Sequence, residues 1–383
     1  MVFSDFTQFC REQFKEPSGS IPLHRPYFIG NEKKYVADAI DSTFVSSVGE
    51  YVNLFEKNLK DYCGANYAIA CVNGTAALHI SLLLAGLKSD ELVITQPLSF
   101  IATCNAISYI GSQPLFIDIN KETLGLCPEK LLNFLKDKTE IRKDGFCYHK
   151  PSGKRIAACV PMHTFGHPVQ IDSIAEICSN YNIPLIEDAA ESIGSFYKGK
   201  HTGTFGLLGT LSFNGNKTIT CGGGGAILTN NKEIAQKAKH LTTQAKVPHA
   251  WDFVHDEIGY NYRMPNLNAA LACAQLENLN LFLEKKRALA ASYKRFFEKN
   301  NIAFIHEPKD SKSNYWLNAI LLNDRTQRDE FLAFTNSNGV MTRPSWTLMN
   351  KLVMFKDCIT ENIDNAIYIE ERLVNIPSSY IPY

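Results

Sequence analysis

Apolar and polar positions along the chain repeat one unit: a short strand-like apolar run, a few polar or glycine residues, then a helical stretch. YAIACV at 67–72 leads through Asn73, Gly74 and Thr75 into the Ala- and Leu-rich segment 76–87, whose composition predicts a helix. ELVIT at 91–95 leads through Pro97 and Phe100 into another helical stretch. PLFID at 114–118, the run 156–161 just before His163, and 183–186 ending at Glu187 and Asp188 predict further strands. LLGTLSF at 207–213 and AILT at 226–229 predict two more, flanking a loop that carries Lys217 and four consecutive glycines, 222–225. That glycine run suits either a plain tight turn or a close approach of backbone to a neighbour.

Strands alternating with helices predict an α/β fold with a mainly parallel sheet covered on both faces, whose ligands bind beyond the carboxyl ends of its strands. This rule collects Thr75, Phe100, His163, Asp188 and Lys217 at one rim. From Met264 onward the pattern changes to long helical periodicity over 266–299, followed by short strands and helices. The expected organisation is an N-terminal extension (1–24), a large domain (25–263) and a smaller C-terminal α/β domain (264–383) entered by a long helix.

Composition narrows the function. A chain of 383 residues with 45% hydrophobic residues can bury a full core. Its 39 basic and 39 acidic residues cancel, and no basic stripe points to nucleic acid or an anionic membrane. No apolar run approaches the length of a bilayer span or a signal peptide. Eleven cysteines without a Cys-x-x-Cys pair predict reduced thiols and a cytoplasmic location. His163 and His167 stand four apart, but Gly166 and Pro168 break the helix a metal pair would need, so no metal is expected.

The chemistry gathers at the rim. Gly74, Thr75 and Ala76 open a helix, where free N–H groups and the dipole suit a phosphate. Asp188, closing an apolar strand, needs a cationic partner or a donor, and a protonated pyridine nitrogen is one such partner. Phe100 at the rim can stack on a flat ring. An amine, a strand-end carboxylate, a phosphate cradle and a stacking aromatic together describe a site for pyridoxal 5′-phosphate.

Four stretches resemble the DegT/DnrJ/EryC1/StrS sugar aminotransferases: NGTAAL at 73–78, EDAAE at 187–191, SFNGNK at 212–217 and GYNYRM at 259–264. IPLH at 21–24 and DSTFVSSVG at 41–49 further resemble the LegC branch, associated with legionaminic acid and related aminosugars. The resemblance implies a fold-type-I, aspartate aminotransferase-like transferase. It implies an amino group moved from an amino acid, with glutamate as the expected donor, to C4 of a nucleotide-linked 4-keto-6-deoxy sugar. In that reading Lys217 is the lysine that holds the cofactor covalently and shuttles the proton, and His163 falls beside the cofactor. Asp188 faces the ring nitrogen, and Phe100 the ring face. Gly74, Thr75, Ala76 and Ser212 hold the phosphate. Asn261, assisted by Arg263, reaches the phosphate from the second subunit of a homodimer. Ser46, Ser47, Tyr315, Trp316, Arg343 and Trp346 are the expected substrate contacts.

Two positions depart from the family pattern. Gly222 to Gly225 stand where many relatives read Gly-Glu-Gly-Gly, and Glu191 stands where many have Gln or His. Glu191 is expected near the cofactor's phenolic oxygen, ionised and partly solvated by an open cleft. Two other readings compete: a sugar dehydratase on the same scaffold, which in relatives goes with His in place of the lysine, and a non-catalytic nucleotide-sugar-binding protein. Lys217 stands against the first.

Overall fold

The computed structural model describes residues 2–382. Seven strands build the main sheet: β1 (Tyr67–Cys71), β2 (Leu92–Thr95), β3 (Gln113–Phe116), β4 (Ile156–Val160), β5 (Ile186–Asp188), β6 (Leu208–Ser212) and β7 (Gly225–Thr229). The order β3-β2-β4 continues into β5-β6-β7-β1 through parallel bridges from Cys159 to Leu185 and from Met162 to Asp188. β7 alone runs against the direction of the other six strands. Strands β4, β6 and β7 are buried at every position, as expected for a sheet covered on both faces.

The helix after β1 begins two residues earlier than its composition suggests, spanning Gly74–Leu84, because Asn73 caps it. The Asn73 side chain accepts from the Ala76 N–H at 2.7 Å. The expected single helix over 266–299 is two, Asn266–Glu277 and Leu279–Lys299. They part at Asn278, which leaves helical geometry (φ −100°, ψ 1°) while its side-chain amide bonds back to the Ala274 carbonyl oxygen.

A second sheet is antiparallel, in the order Ala303–Phe304, Asn318–Leu321, Leu373–Ile376, Arg343–Pro344. The N-terminal helix Val2–Phe14 shares its core: Phe6, Cys10 and Phe14 pack with Tyr293, Phe297, Phe331 and Val374. A fully buried phenylalanine such as Phe6 contributes about 1.5–3 kcal/mol, so this helix is held by its apolar face.

All eleven cysteines are free thiols, ten of them buried. Among the described residues no helix is long and apolar enough to cross a membrane.

Candidate active site

The carboxyl ends of β5 and β6, the start of the helix Gly74–Leu84 and the start of the helix Ile101–Tyr109 surround a cavity of 330 Å³. Gly74, Thr75, Phe100, Asp188, Glu191, Ser212, Lys217, Trp316 and Trp346 all line it, as do Asn73, Met162, Ala190 and Asn216. Nine residues singled out in the sequence therefore meet in one cleft.

The helix start is shaped for close approach. A Cβ on Gly74 would lie 2.9 Å from the Cβ of Ser212, and one on Gly225 would lie 2.4 Å from the Asn73 carbonyl oxygen. The end of the glycine run thus lets β7 pass under the helix start, while Gly222 makes the turn with φ +82°. The run carries no carboxylate, so no loop acid reaches the cleft from it. First-turn N–H groups have no partner in a preceding turn, which leaves those of Gly74 and Thr75 for a ligand. The Ala76 N–H is taken by Asn73, so the cradle is one donor smaller than the sequence suggests.

Asp188 is 2% exposed and its carboxylate is tightly held. Oδ2 accepts from the Thr103 hydroxyl at 2.6 Å, and Oδ1 from the Ala190 N–H at 3.1 Å. Thr103 was not apparent in the sequence; its only signal is its place one turn after Phe100. Phe100 is 47% exposed, with its ring 6.1 Å from that of Trp346.

Lys217 extends from the β6–β7 connection into the cleft. Its Nζ lies 3.3 Å from Glu191 Oε1 and 4.0 Å from the centre of the Trp316 ring. Trp316 is fixed in turn by its indole N–H, which donates to the Asn216 carbonyl oxygen at 2.7 Å. Glu191 is 2% exposed, not partly solvated as expected, because the Phe165 N–H and Lys217 close over it. Burial pushes its carboxyl up to about 7, against the opposing pull of Lys217 and the Phe165 N–H.

His163 does not enter the cleft. Its ring is fully buried, with Nε2 3.0 Å from Glu187 Oε2, while Nδ1 accepts from the Val169 N–H at 3.2 Å. Consecutive residues on a strand point to opposite faces, so a histidine bonded to Glu187 lies across the sheet from Asp188. Burial raises the Glu187 carboxyl, but His163 and the N–H groups of Gly206 and Gly203 outweigh it and hold the pKa below its ordinary value.

Other expected contacts lie elsewhere. Tyr315 is buried beside His167, its hydroxyl accepting from the Glu307 N–H. Arg343 lines a neighbouring pocket. Ser46 is exposed and Ser47 half-buried on the 42–49 loop, away from the cleft, and the Ser46 carbonyl oxygen accepts from the Asn266 N–H at 2.6 Å. Arg263 faces that loop across a pocket shared with Phe44 and Val48, and Asn261 is exposed. Neither reaches the Lys217 cleft of its own chain.

This architecture, with its lysine after β6 and its carboxylate at the end of β5, is that of the fold-type-I, aspartate aminotransferase-like transferases. Residues 27–380 match the model of the DegT/DnrJ/EryC1/StrS aminotransferase family, and the chain belongs to that family. GDP-perosamine synthase of Escherichia coli O157:H7 is 36% identical over 359 residues, covering 94% of this chain and 93% of the relative. Among solved structures, the aminotransferase TlmJ of Streptoalloteichus hindustanus superposes with a TM-score of 0.85 at 23% identity, covering 94% of both chains. The Escherichia coli GDP-4-keto-6-deoxy-D-mannose-3-dehydratase with bound hydrated PLP gives 0.82 at 23% identity, covering 94% of this chain and 95% of that one. At that identity both structures speak to the fold alone.

Proposed function

We propose that the chain transfers an amino group from an amino acid, with glutamate as donor, to C4 of a nucleotide-linked 4-keto-6-deoxy sugar, in the cytoplasm. The favoured acceptor is an N-acetylhexosamine derivative on a route to a bacterial surface aminosugar of the legionaminic acid or bacillosamine kind. The observation that carries the reading is the Lys217 amine, buried in one cleft with the Asp188 carboxylate and the open start of the helix Gly74–Leu84. Similarity to a GDP-perosamine synthase supports a nucleotide-linked sugar as acceptor.

The residues fit pyridoxal 5′-phosphate. The room that Gly74 leaves beside Ser212 is a cradle that a Cβ would fill. The N–H groups of Gly74 and Thr75 and the Ser212 hydroxyl would hold the phosphate, Asp188 the ring nitrogen, and Phe100 one ring face. When bound, the cofactor supplies an electron sink for the reacting carbon. Lys217 carries the covalent attachment and, once free, moves the proton at the reacting carbon. Thr103 and the Ala190 N–H keep the Asp188 carboxylate oriented. Trp316 and Glu191 hold the amine when it is free.

The test is incubation with glutamate and a panel of UDP-, GDP- and dTDP-linked 4-keto-6-deoxy sugars, read by mass. The amino sugar of one nucleotide series is expected. Turnover of simple keto acids alone would overturn the substrate class, and dehydration without amine transfer would overturn the reaction.

A further inference from the structure

A second pocket opens beside the Lys217 cleft and shares three of its walls, Asn216, Trp316 and Trp346. Its cavity of 470 Å³ is also lined by His24, Arg343 and Asn375, and by no acidic residue. The Arg343 guanidinium bonds to the Asn336 side-chain oxygen and the Thr342 carbonyl oxygen, each at 3.1 Å, so neither partner offsets its charge.

Behind this wall lies a second cation. Lys286 is 2% exposed, with Nζ 2.6 Å from the Ser378 carbonyl oxygen, 3.2 Å from that of Trp316 and 3.0 Å from His24 Nε2. Burial pushes its pKa down to about 7. Protonated Lys286 has three N–H groups for these three acceptors, so His24 then accepts at Nε2 and carries its own proton on Nδ1. That Nδ1 is buried without a partner. A positive charge that no acid in the lining offsets, beside an imidazole N–H left without a partner, suits the pocket to an anion.

Resting on the aminotransferase reading, we propose that this pocket holds the anionic group that a substrate carries away from its reacting carbon, with Arg343 as its charged partner. Two sources share that chemistry, the side-chain carboxylate of the amino donor and the diphosphate of the sugar nucleotide. The common wall of Asn216, Trp316 and Trp346 lets one molecule lie in both spaces, its reacting end at Lys217 and its charge at Arg343.

The two half-reactions of the holoenzyme, followed separately through its visible spectrum, test this in wild type and Arg343→Gln. If the donor carboxylate occupies the pocket, the variant weakens glutamate by about ten- to a hundredfold and leaves the sugar nucleotide unchanged. The reverse pattern assigns the pocket to the diphosphate. Unchanged constants for both overturn the subsite. Should the variant melt below the assay temperature, titration of wild type with glutarate and with inorganic pyrophosphate decides. Competition by either with its matching substrate supports the subsite, and binding of neither overturns it. A wild type that converts no donor and no sugar nucleotide sinks the aminotransferase reading and the subsite together, whereas an active wild type with an insensitive variant sinks the subsite alone.

Discussion

Lys217 Nζ and Glu191 Oε1 lie 3.3 Å apart in a buried pair, so the amine that makes this cleft chemical is paired with a carboxylate whose pKa is raised from 4.5 to about 7. Between those values the folded chain binds a proton at Glu191 that the unfolded chain does not. Its contribution to stability is therefore full below pH 4.5 and lost as pH rises through 7. At about 1.4 kcal/mol per unit, the loss amounts to about 3 kcal/mol. Urea unfolding of the cofactor-free protein from pH 5 to 8 should show wild type losing stability relative to Glu191→Gln, which cannot titrate. Parallel curves would mean that Glu191 does not titrate in this range.

The Thr103 hydroxyl orients the Asp188 carboxylate, and Thr103→Val removes that bond while keeping the side-chain volume. A hydrogen bond to a charged group contributes about 1.5–3 kcal/mol, so the variant should unfold at lower urea. Its affinity for pyridoxal phosphate, measured by fluorescence titration, should fall by about tenfold because Asp188 is left with the Ala190 N–H alone. Unchanged cofactor affinity would show that Thr103 has no part in positioning Asp188.

What the sequence revealed and what it hid have a physical division. Ile156–Val160 is apolar throughout and Leu208–Ser212 buries even Thr210 and Ser212, because helices cover both faces, and the carboxyl ends of Ile186–Asp188 and Leu208–Ser212 bring Asp188 and Lys217 together. Thr103 and the Lys217–Glu191 pair depend on how a helix and a loop dock across the sheet, which local pattern does not encode. His163 ends the same strand-like run that led toward the rim. Its ring direction, however, is set by Glu187 on the neighbouring strand, and alternation along that strand turns it away from Asp188. The break at Asn278 was hidden by the helix-forming residues on either side of it.

Asn261 is exposed in its own chain and does not line its own cleft, the placement expected of a residue that completes a partner's phosphate site in a homodimer. Mixing inactive Lys217→Ala with inactive Asn261→Ala should restore activity, because hybrid dimers contain one intact site. Separate chains that stay inactive after subunit exchange, or a fully active monomer by sedimentation, would contradict the shared site.

Lys217 is the residue expected to hold the cofactor covalently. Loading the protein with pyridoxal phosphate, fixing the link with borohydride and mapping peptides by mass tests it without any substrate. The pyridoxyl mass is expected on the peptide that contains Lys217, and its loss in Lys217→Ala. A stable pyridoxyl mass on another lysine, or on none while the protein still turns over substrate, would contradict it.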